Sequence, residues 1–167
     1  MKLKMLTTLA VAFLLAFPMM ADAQRFSLQT VSDSLSFLIL EEGGKTDRWR
    51  LVFPVYQMCV GDVDGDGRED ALVGVVKTTR FDPVVSKRLF IFKNYHGRIR
   101  AMWMGSKLGG TLVDFRFKDG KVVTLQSDGG SKYAVVEHHW RDFGLGFTKF
   151  LAYNVSQEEA FRTFQQQ

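Results

Sequence analysis

Short apolar runs separated by glycine-containing turns are the feature that most restricts the fold of this chain. Apolar residues occupy alternate positions at 35–39 and at 49–53, which is the period of a strand with one face in a core. The links between runs contain the glycines that hairpins require, at 42–45, 96–97, 118–121 and 128–130. Because parallel strands need a long crossover, links this short predict an all-β antiparallel meander.

Further strands are predicted wherever β-like runs lie between turn signals. They are expected at 55–61, 71–77, 88–94, 98–104, 112–118, 121–127, 132–140 and 144–151. Residues 89–92 are apolar at four consecutive positions, so their strand is expected to be central and covered on both faces. We therefore expect a small sandwich or half-barrel over residues 24–155.

One helix is predicted, at the C-terminal end of the chain. Ser156 and Glu159 have the spacing of a capping box, and Ala160, Phe161 and Phe164 follow on one side. We expect a short helix at about 157–164, within a terminal segment at 156–167.

The first 23 residues have the pattern of a cleavable secretory signal peptide. Lys2 and Lys4 precede an apolar run at 6–20, and Ala21-Asp22-Ala23 provides the small-x-small cleavage pattern. An uncleaved anchor is the alternative, but the run is short for a membrane span. We expect an exported chain with no transmembrane span after cleavage, located in the periplasm, outside the cell or at the cell surface.

Composition narrows the classes of function and partner. The formal net charge of the whole chain is only +4, and its basic residues are dispersed, so nucleic acid is not an expected partner. Cys59 is the single cysteine, which excludes an intramolecular disulfide and predicts a buried, inert thiol.

An acidic loop at 62–70 is the most specific motif. Its four aspartates stand at loop positions 1, 3, 5 and 9 and are Asp62, Asp64, Asp66 and Asp70. Their carboxylates can point at one centre together with the backbone carbonyl of Arg68. Calcium binds six to eight oxygen ligands in flexible geometry. Position 12 is Val73 rather than the glutamate of an EF-hand, and both flanks are strand-like. The sequence predicts a hairpin calcium loop; a solvated acidic turn that binds nothing is the alternative.

The segment 60–74, followed by 88–92, resembles one FG-GAP or VCBS-type repeat, the blade unit of integrin-like β-propellers. The resemblance covers roughly residues 55–95 and implies that the four loop aspartates bind calcium between blade strands. Propellers need at least about four blades of roughly 40 to 45 residues. The 144 residues after the predicted leader would form about three, which favours a blade-like meander.

A second candidate site is a basic aromatic surface that would hold a sugar or a peptide. Its residues would be Arg98, Arg100, Trp103, Lys107 and Trp140. The alternative is a core tryptophan flanked by solvated charges. His138 and His139 are adjacent on a predicted strand and point to opposite faces, so they cannot share a zinc ion and are expected to be ordinary surface or edge residues.

Three functions remain open from the sequence. The leading hypothesis is a noncatalytic, calcium-stabilised β-domain that acts as a binding or scaffold module of the cell envelope, with a protein or glycan partner. The second is a small extracytoplasmic hydrolase acting on glycan or peptide, with paired carboxylates about 5 to 9 Å apart in a cleft. The third is a homo-oligomer in which several copies build a propeller-like ring.

The predicted signal peptide at 1–23 leads to a testable prediction about the N-terminus of the mature protein. Protein isolated from its native host should begin at Gln24, because cleavage after Ala23 follows from the small-x-small pattern. Intact-mass measurement reports the N-terminus directly. Recovery of a chain that still begins at Met1 from a cytoplasmic fraction would contradict the prediction.

Overall fold

The computed structural model describes residues 23–80 and 82–167, so the predicted leader, apart from Ala23, lies outside the described residues. This part of the chain contains eleven strands and one helix. In chain order they are β1 Arg25–Ser32, β2 Leu35–Glu42, β3 Lys45–Leu51, β4 Val55–Gly61, β5 Asp70–Thr79, β6 Asp82–Tyr95, β7 Arg98–Met104, β8 Thr111–Lys118, β9 Lys121–Ser127, β10 Tyr133–Arg141, β11 Gly144–Val155 and α1 Gln157–Gln165.

The strands form three open antiparallel sheets, each a meander of consecutive strands. We call β1–β3 the first sheet, β4–β7 the middle sheet and β8–β11 the third sheet. Every pairing is antiparallel, and the four glycine-containing links predicted from the sequence all connect paired strands. The prediction of an all-β antiparallel meander is confirmed, and the sheets do not close into a barrel.

The middle sheet is buried on both faces, because β5 and β6 are apolar at consecutive positions. Val73 and Phe90 pack in a cluster with Leu38 of the first sheet. Leu72 and Ile91 point the other way, into a cluster that includes residues of β8 and β9. The prediction that residues 89–92 form a central strand is confirmed, since all four are at most 1% exposed.

The outer face of the third sheet is covered by α1. Leu125 and Val135 pack against Ala160 and Phe164, all of them buried. The Ser156 side chain accepts a hydrogen bond of 3.3 Å from the backbone N–H of Glu159 and so caps the helix. The predicted short C-terminal helix is confirmed.

Strand β1 is not among the strands predicted from the sequence. Its apolar pattern is short, since only Phe26 is buried and residues 29–32 are exposed. It pairs with β2 at the edge of the first sheet. An edge strand contributes one partly buried face, so its sequence carries little of the alternation that identifies a strand.

A glycine allows β8 to pack closely on the middle sheet. Gly74 lies on β5, and a methyl group there would lie 2.5 Å from Tyr56 Cζ and 2.8 Å from Phe115 Cε1. These ring atoms belong to a packed contact with ring centroids 6.2 Å apart. The middle and third sheets therefore approach to a distance that only glycine permits at this position.

Replacement of Gly74 by alanine should destabilise the protein by about 1 to 3 kcal/mol, because the added methyl group overpacks the contact between the sheets. Gly109→Ala is the matched control, since its nearest neighbour would be 3.7 Å away, at Gln126 Oε1. Urea unfolding followed by circular dichroism measures both free energies. Equal stabilities of the two variants would show that the contact is not tightly packed.

Candidate functional site

The acidic loop connects the end of β4 to the start of β5 in the middle sheet. Gly65 and Gly67 have φ angles of 76° and 83°, in the left-handed region that side chains other than glycine rarely adopt. These two turns fold the segment back on itself. As a result, Asp62 and Asp64, early in the loop, lie beside Asp70 at the start of β5.

Three carboxylates converge at the base of the loop. One oxygen from each of Asp62, Asp64 and Asp70 lies within 4.8 Å of the other two. Asp70 is only 1% exposed, and carboxylates that are buried together repel one another unless a cation or donors compensate them. The geometry is that of an oxygen-ligand cluster with one side in the protein interior.

Backbone donors hold all three of these carboxylates in place, since the N–H of Asp66 donates to Asp64 Oδ1 at 3.3 Å. The N–H of Val63 donates to Asp70 Oδ2 at 3.0 Å, and the N–H of Gly67 donates to Asp62 Oδ2 at 2.9 Å. The other oxygen of Asp62, Oδ1, is buried and has no hydrogen-bond partner among the described residues. A buried acceptor without a partner destabilises the fold, so this atom is suited to an added cation.

Electrostatics at the buried end of the loop are unfavourable for a charged carboxylate. Burial raises the pKa of Asp70 to about 7, and the charges of Asp64 and Asp66 act in the same direction. The hydrogen bond from Val63 opposes the rise. The buried end of the loop therefore disfavours the charged form of Asp70, which a nearby cation would favour.

Lys93 lies against the loop, which the sequence analysis did not anticipate. Its ammonium, on β6, forms a salt bridge with Asp64 and a second one of 2.9 Å with Asp66. Burial opposes the charge, but the bonds to Asp64 and Asp66 raise the pKa of Lys93. The only sequence signal was a lysine at the end of the strand that pairs with β5.

Asp66, the fourth predicted aspartate ligand, is not part of the three-carboxylate cluster. Asp66 accepts hydrogen bonds from Lys93 and from the backbone N–H of Arg68, and the Lys93 contact lowers the pKa of its carboxyl group. The guanidinium of Arg68 contacts Glu42, and its Nε donates to Gln24 Oε1 at 3.0 Å. The role predicted for the Arg68 carbonyl stays a prediction.

The predicted basic aromatic surface is divided between different places. Trp103 is 8% exposed and packs in the core between the middle and third sheets, with Trp140 against the same cluster. Trp103 and Lys107 also line a cavity beside the β7–β8 connection. Arg98 and Arg100, at the exposed start of β7, do not line it.

His138 is buried, so the expectation of an ordinary surface or edge residue is wrong. It is 5% exposed, and its Nε2 lies 2.9 Å from Thr124 Oγ1 on the neighbouring strand β9. Gln126 Nε2 donates to the same hydroxyl at 2.7 Å. The Thr124 hydroxyl also donates to the carbonyl oxygen of Val136 at 3.5 Å. His138 Nδ1 is a buried atom without a partner in the described structure.

Comparison with protein-family models, with curated proteins and with solved structures finds no match. The resemblance to an FG-GAP or VCBS-type repeat therefore stays a prediction that depends on the loop residues. Within residues 23–80 and 82–167, no helix combines the length and apolar character that a membrane crossing requires.

The burial of His138 predicts a specific pH dependence of stability. Desolvation lowers the pKa of His138 to about 4 in the folded protein, against about 6.5 in the unfolded chain. Between these values the unfolded chain binds more protons, so the free energy of unfolding falls as pH falls from about 6.5 to 4. The contribution of His138 to this fall is on the order of 2 to 3 kcal/mol across this window, and it should be absent in His138→Gln.

Urea unfolding at several pH values, compared between wild type and variant, cancels the contribution of the other titrating groups. His96→Asn is the comparison variant, because His96 lies exposed in the β6–β7 turn, outside the third sheet. Parallel profiles for wild type and His138→Gln would contradict a buried neutral imidazole.

Proposed function

We propose that this protein is a noncatalytic, calcium-binding β-domain that acts as a binding or scaffold module of the cell envelope. The observation that carries the proposal is the convergence of Asp62, Asp64 and Asp70, with one buried carboxylate oxygen lacking a partner. Location at the envelope depends on the predicted leader at 1–23. The partner expected there is a protein or a glycan.

Calcium suits this cluster better than magnesium. The donors are carboxylate oxygens on a loop, and calcium accepts six to eight such ligands with variable geometry. Magnesium requires a nearly ideal octahedron and keeps several waters. The side chain of Asp66 and the carbonyl of Arg68 complete the ligand set that we propose for calcium.

Lys93 gives the loop an internal cation that competes with calcium. Its ammonium contacts Asp64, a proposed calcium ligand, and Asp66. A divalent ion entering the cluster must either displace this ammonium or accept its repulsion. We therefore place calcium affinity at the weak end expected of extracellular modules, with Kd about 10⁻⁴ to 10⁻³ M.

The carboxylates and the thiol outside the loop support a noncatalytic role. Asp82 and Asp128 line the same small cavity, but Asp82 is paired with Arg88 at 2.8 Å, and Asp128 accepts from the N–H of Gly130 at 2.7 Å. Burial raises the pKa of Cys59 to about 11, so its thiol stays protonated near neutral pH. The two carboxylates are held in structural contacts and the thiol is protonated, which disfavours these three groups as hydrolase residues.

The position of α1 disfavours the propeller-like ring. A ring requires a further sheet to stack on each outer face of the three-sheet unit. The helix already covers one of those faces, with Phe164 only 2% exposed against the third sheet. The monomeric module is thus the form that we propose.

Calcium should raise the melting temperature of the wild-type protein. At millimolar calcium the gain is on the order of 1 kcal/mol, which corresponds to about 3 °C for a domain of this size. Asp64→Asn should abolish this response, because it removes one charged ligand. Lys93→Met should enlarge the response, because the competing ammonium is lost while the carboxylates remain.

Differential scanning calorimetry in calcium, in magnesium and in chelator measures these shifts. Asp119→Asn is the matched control: this aspartate is exposed in the β8–β9 turn and has a φ of 50°, which asparagine tolerates. Its response to calcium should equal that of wild type. Identical behaviour of wild type and Asp64→Asn across the calcium range would rule out the site.

A further inference from the structure

A cavity of about 630 Å³ opens between the third sheet and the β7–β8 connection. Its volume lies within the range of about 300 to 1,000 Å³ typical of small-molecule sites. The lining includes Trp103, Val136 and Leu145, together with three aromatic residues of β11. The lining contains none of the acidic-loop residues, so a ligand site in this cavity does not depend on calcium binding at the loop.

Three aromatic side chains of the edge strand β11 form one wall. Phe147, Phe150 and Tyr153 are 55%, 47% and 66% exposed. Their rings contact one another in a row, with centroids 4.9 Å and 4.5 Å apart. A contiguous exposed aromatic row beside a concavity is typical of a binding site, because the rings remain in water until something covers them.

The polar groups on the floor of the cavity are already engaged within the protein. Gln126 Nε2 donates to Thr124 Oγ1, and Gln126 Oε1 accepts from the N–H of Gly110 at 2.7 Å. His138 Nε2 is held by the same hydroxyl, and its Nδ1 is buried. The floor therefore offers an occupant mainly apolar contact, and a polar head group is better accommodated at the mouth.

The mouth carries two positively charged side chains, one of which, Lys107, also acts on the carboxylate of Asp82 and helps to lower its pKa. Lys107 and Lys132 line the cavity and are exposed, and neither forms a salt bridge within the described part of the chain. Asp128 also lies at the mouth, where its Oδ1 accepts from the backbone N–H groups of Gly130 and Lys132. The two lysines of the lining exceed this one negative charge. The charge at the opening favours an anion.

We propose that this cavity binds an amphipathic carboxylate: an apolar chain lying against the β11 aromatic row, with its carboxylate at Lys107 and Lys132. The concave shape selects a small molecule over a flat protein surface. The two lysines select an anionic head over a cationic one, while the apolar floor excludes a fully hydrated ligand such as a simple sugar.

Isothermal titration calorimetry with dodecanoate, in calcium-free buffer because calcium precipitates the carboxylate, tests the site. Wild type should bind one equivalent saturably and should not bind dodecyltrimethylammonium, which has the same chain and the opposite charge. The double variant Lys107→Glu, Lys132→Glu should bind dodecanoate about tenfold more weakly. Lys45→Glu is the control, since Lys45 is exposed at the start of β3 in the first sheet.

The aromatic row is tested separately from the charges. Phe150→Ala should weaken dodecanoate binding severalfold, whereas Phe143→Ala, at a residue 90% exposed and outside the cavity, should not. Circular dichroism melting confirms that each variant is folded. Absence of saturable dodecanoate binding, equal binding of the cationic amphiphile, or unchanged affinity in the folded double lysine variant would each overturn the proposal. The calcium response of the melting temperature tests the acidic loop separately, so none of these outcomes bears on the proposed calcium site.

Discussion

Burial of the middle sheet on both faces is the constraint on which the rest of the structure depends. Because Leu72 and Val73 are both fully buried on opposite faces of β5, the middle sheet must be covered on each side. The first sheet covers one face and the third sheet the other. The pairing of β6 with β5 within this sheet places Lys93 beside the β4–β5 loop. The packing of the third sheet leaves a cavity next to the β7–β8 connection.

Local features of the fold were predictable from the sequence, and non-local ones were not. Glycine-containing turns and alternating apolar residues identified most strands, and the capping-box spacing identified α1. The stacking order of the sheets depends on contacts between distant residues, which periodicity does not encode. For the same reason Asp62, Asp64 and Asp70 were identified by spacing, whereas Lys93, 29 residues from Asp64 in the sequence, was not. His138 was misjudged because adjacent histidines on a strand do not reveal which face is buried.

The acidic loop and the third sheet differ in how far their buried polar groups are hydrogen-bonded within the protein. In the loop, three carboxylates converge, burial opposes the charge of Asp70, and Asp62 Oδ1 has no partner among the described residues. In the third sheet, Thr124, Gln126 and His138 form a neutral network in which nearly every polar atom has a partner. With the calcium binding that we propose, the first arrangement would respond to ions in solution. The second mainly fixes the shape of the cavity floor, which makes the cavity a preformed concavity.

The helix α1 ends the stack of sheets on one side, and the layered arrangement determines the order in which parts of the chain unfold locally. The apolar residues form three separate clusters, one between each pair of neighbouring layers. In such a quasi-one-dimensional arrangement each layer is stabilised by its nearest neighbours. Amide hydrogen exchange would then proceed from the first sheet and the β11 edge inwards, with β5 and β6 exchanging last. The acidic loop adjoins this slowest-exchanging layer, so its aspartates are anchored to the most persistent part of the molecule.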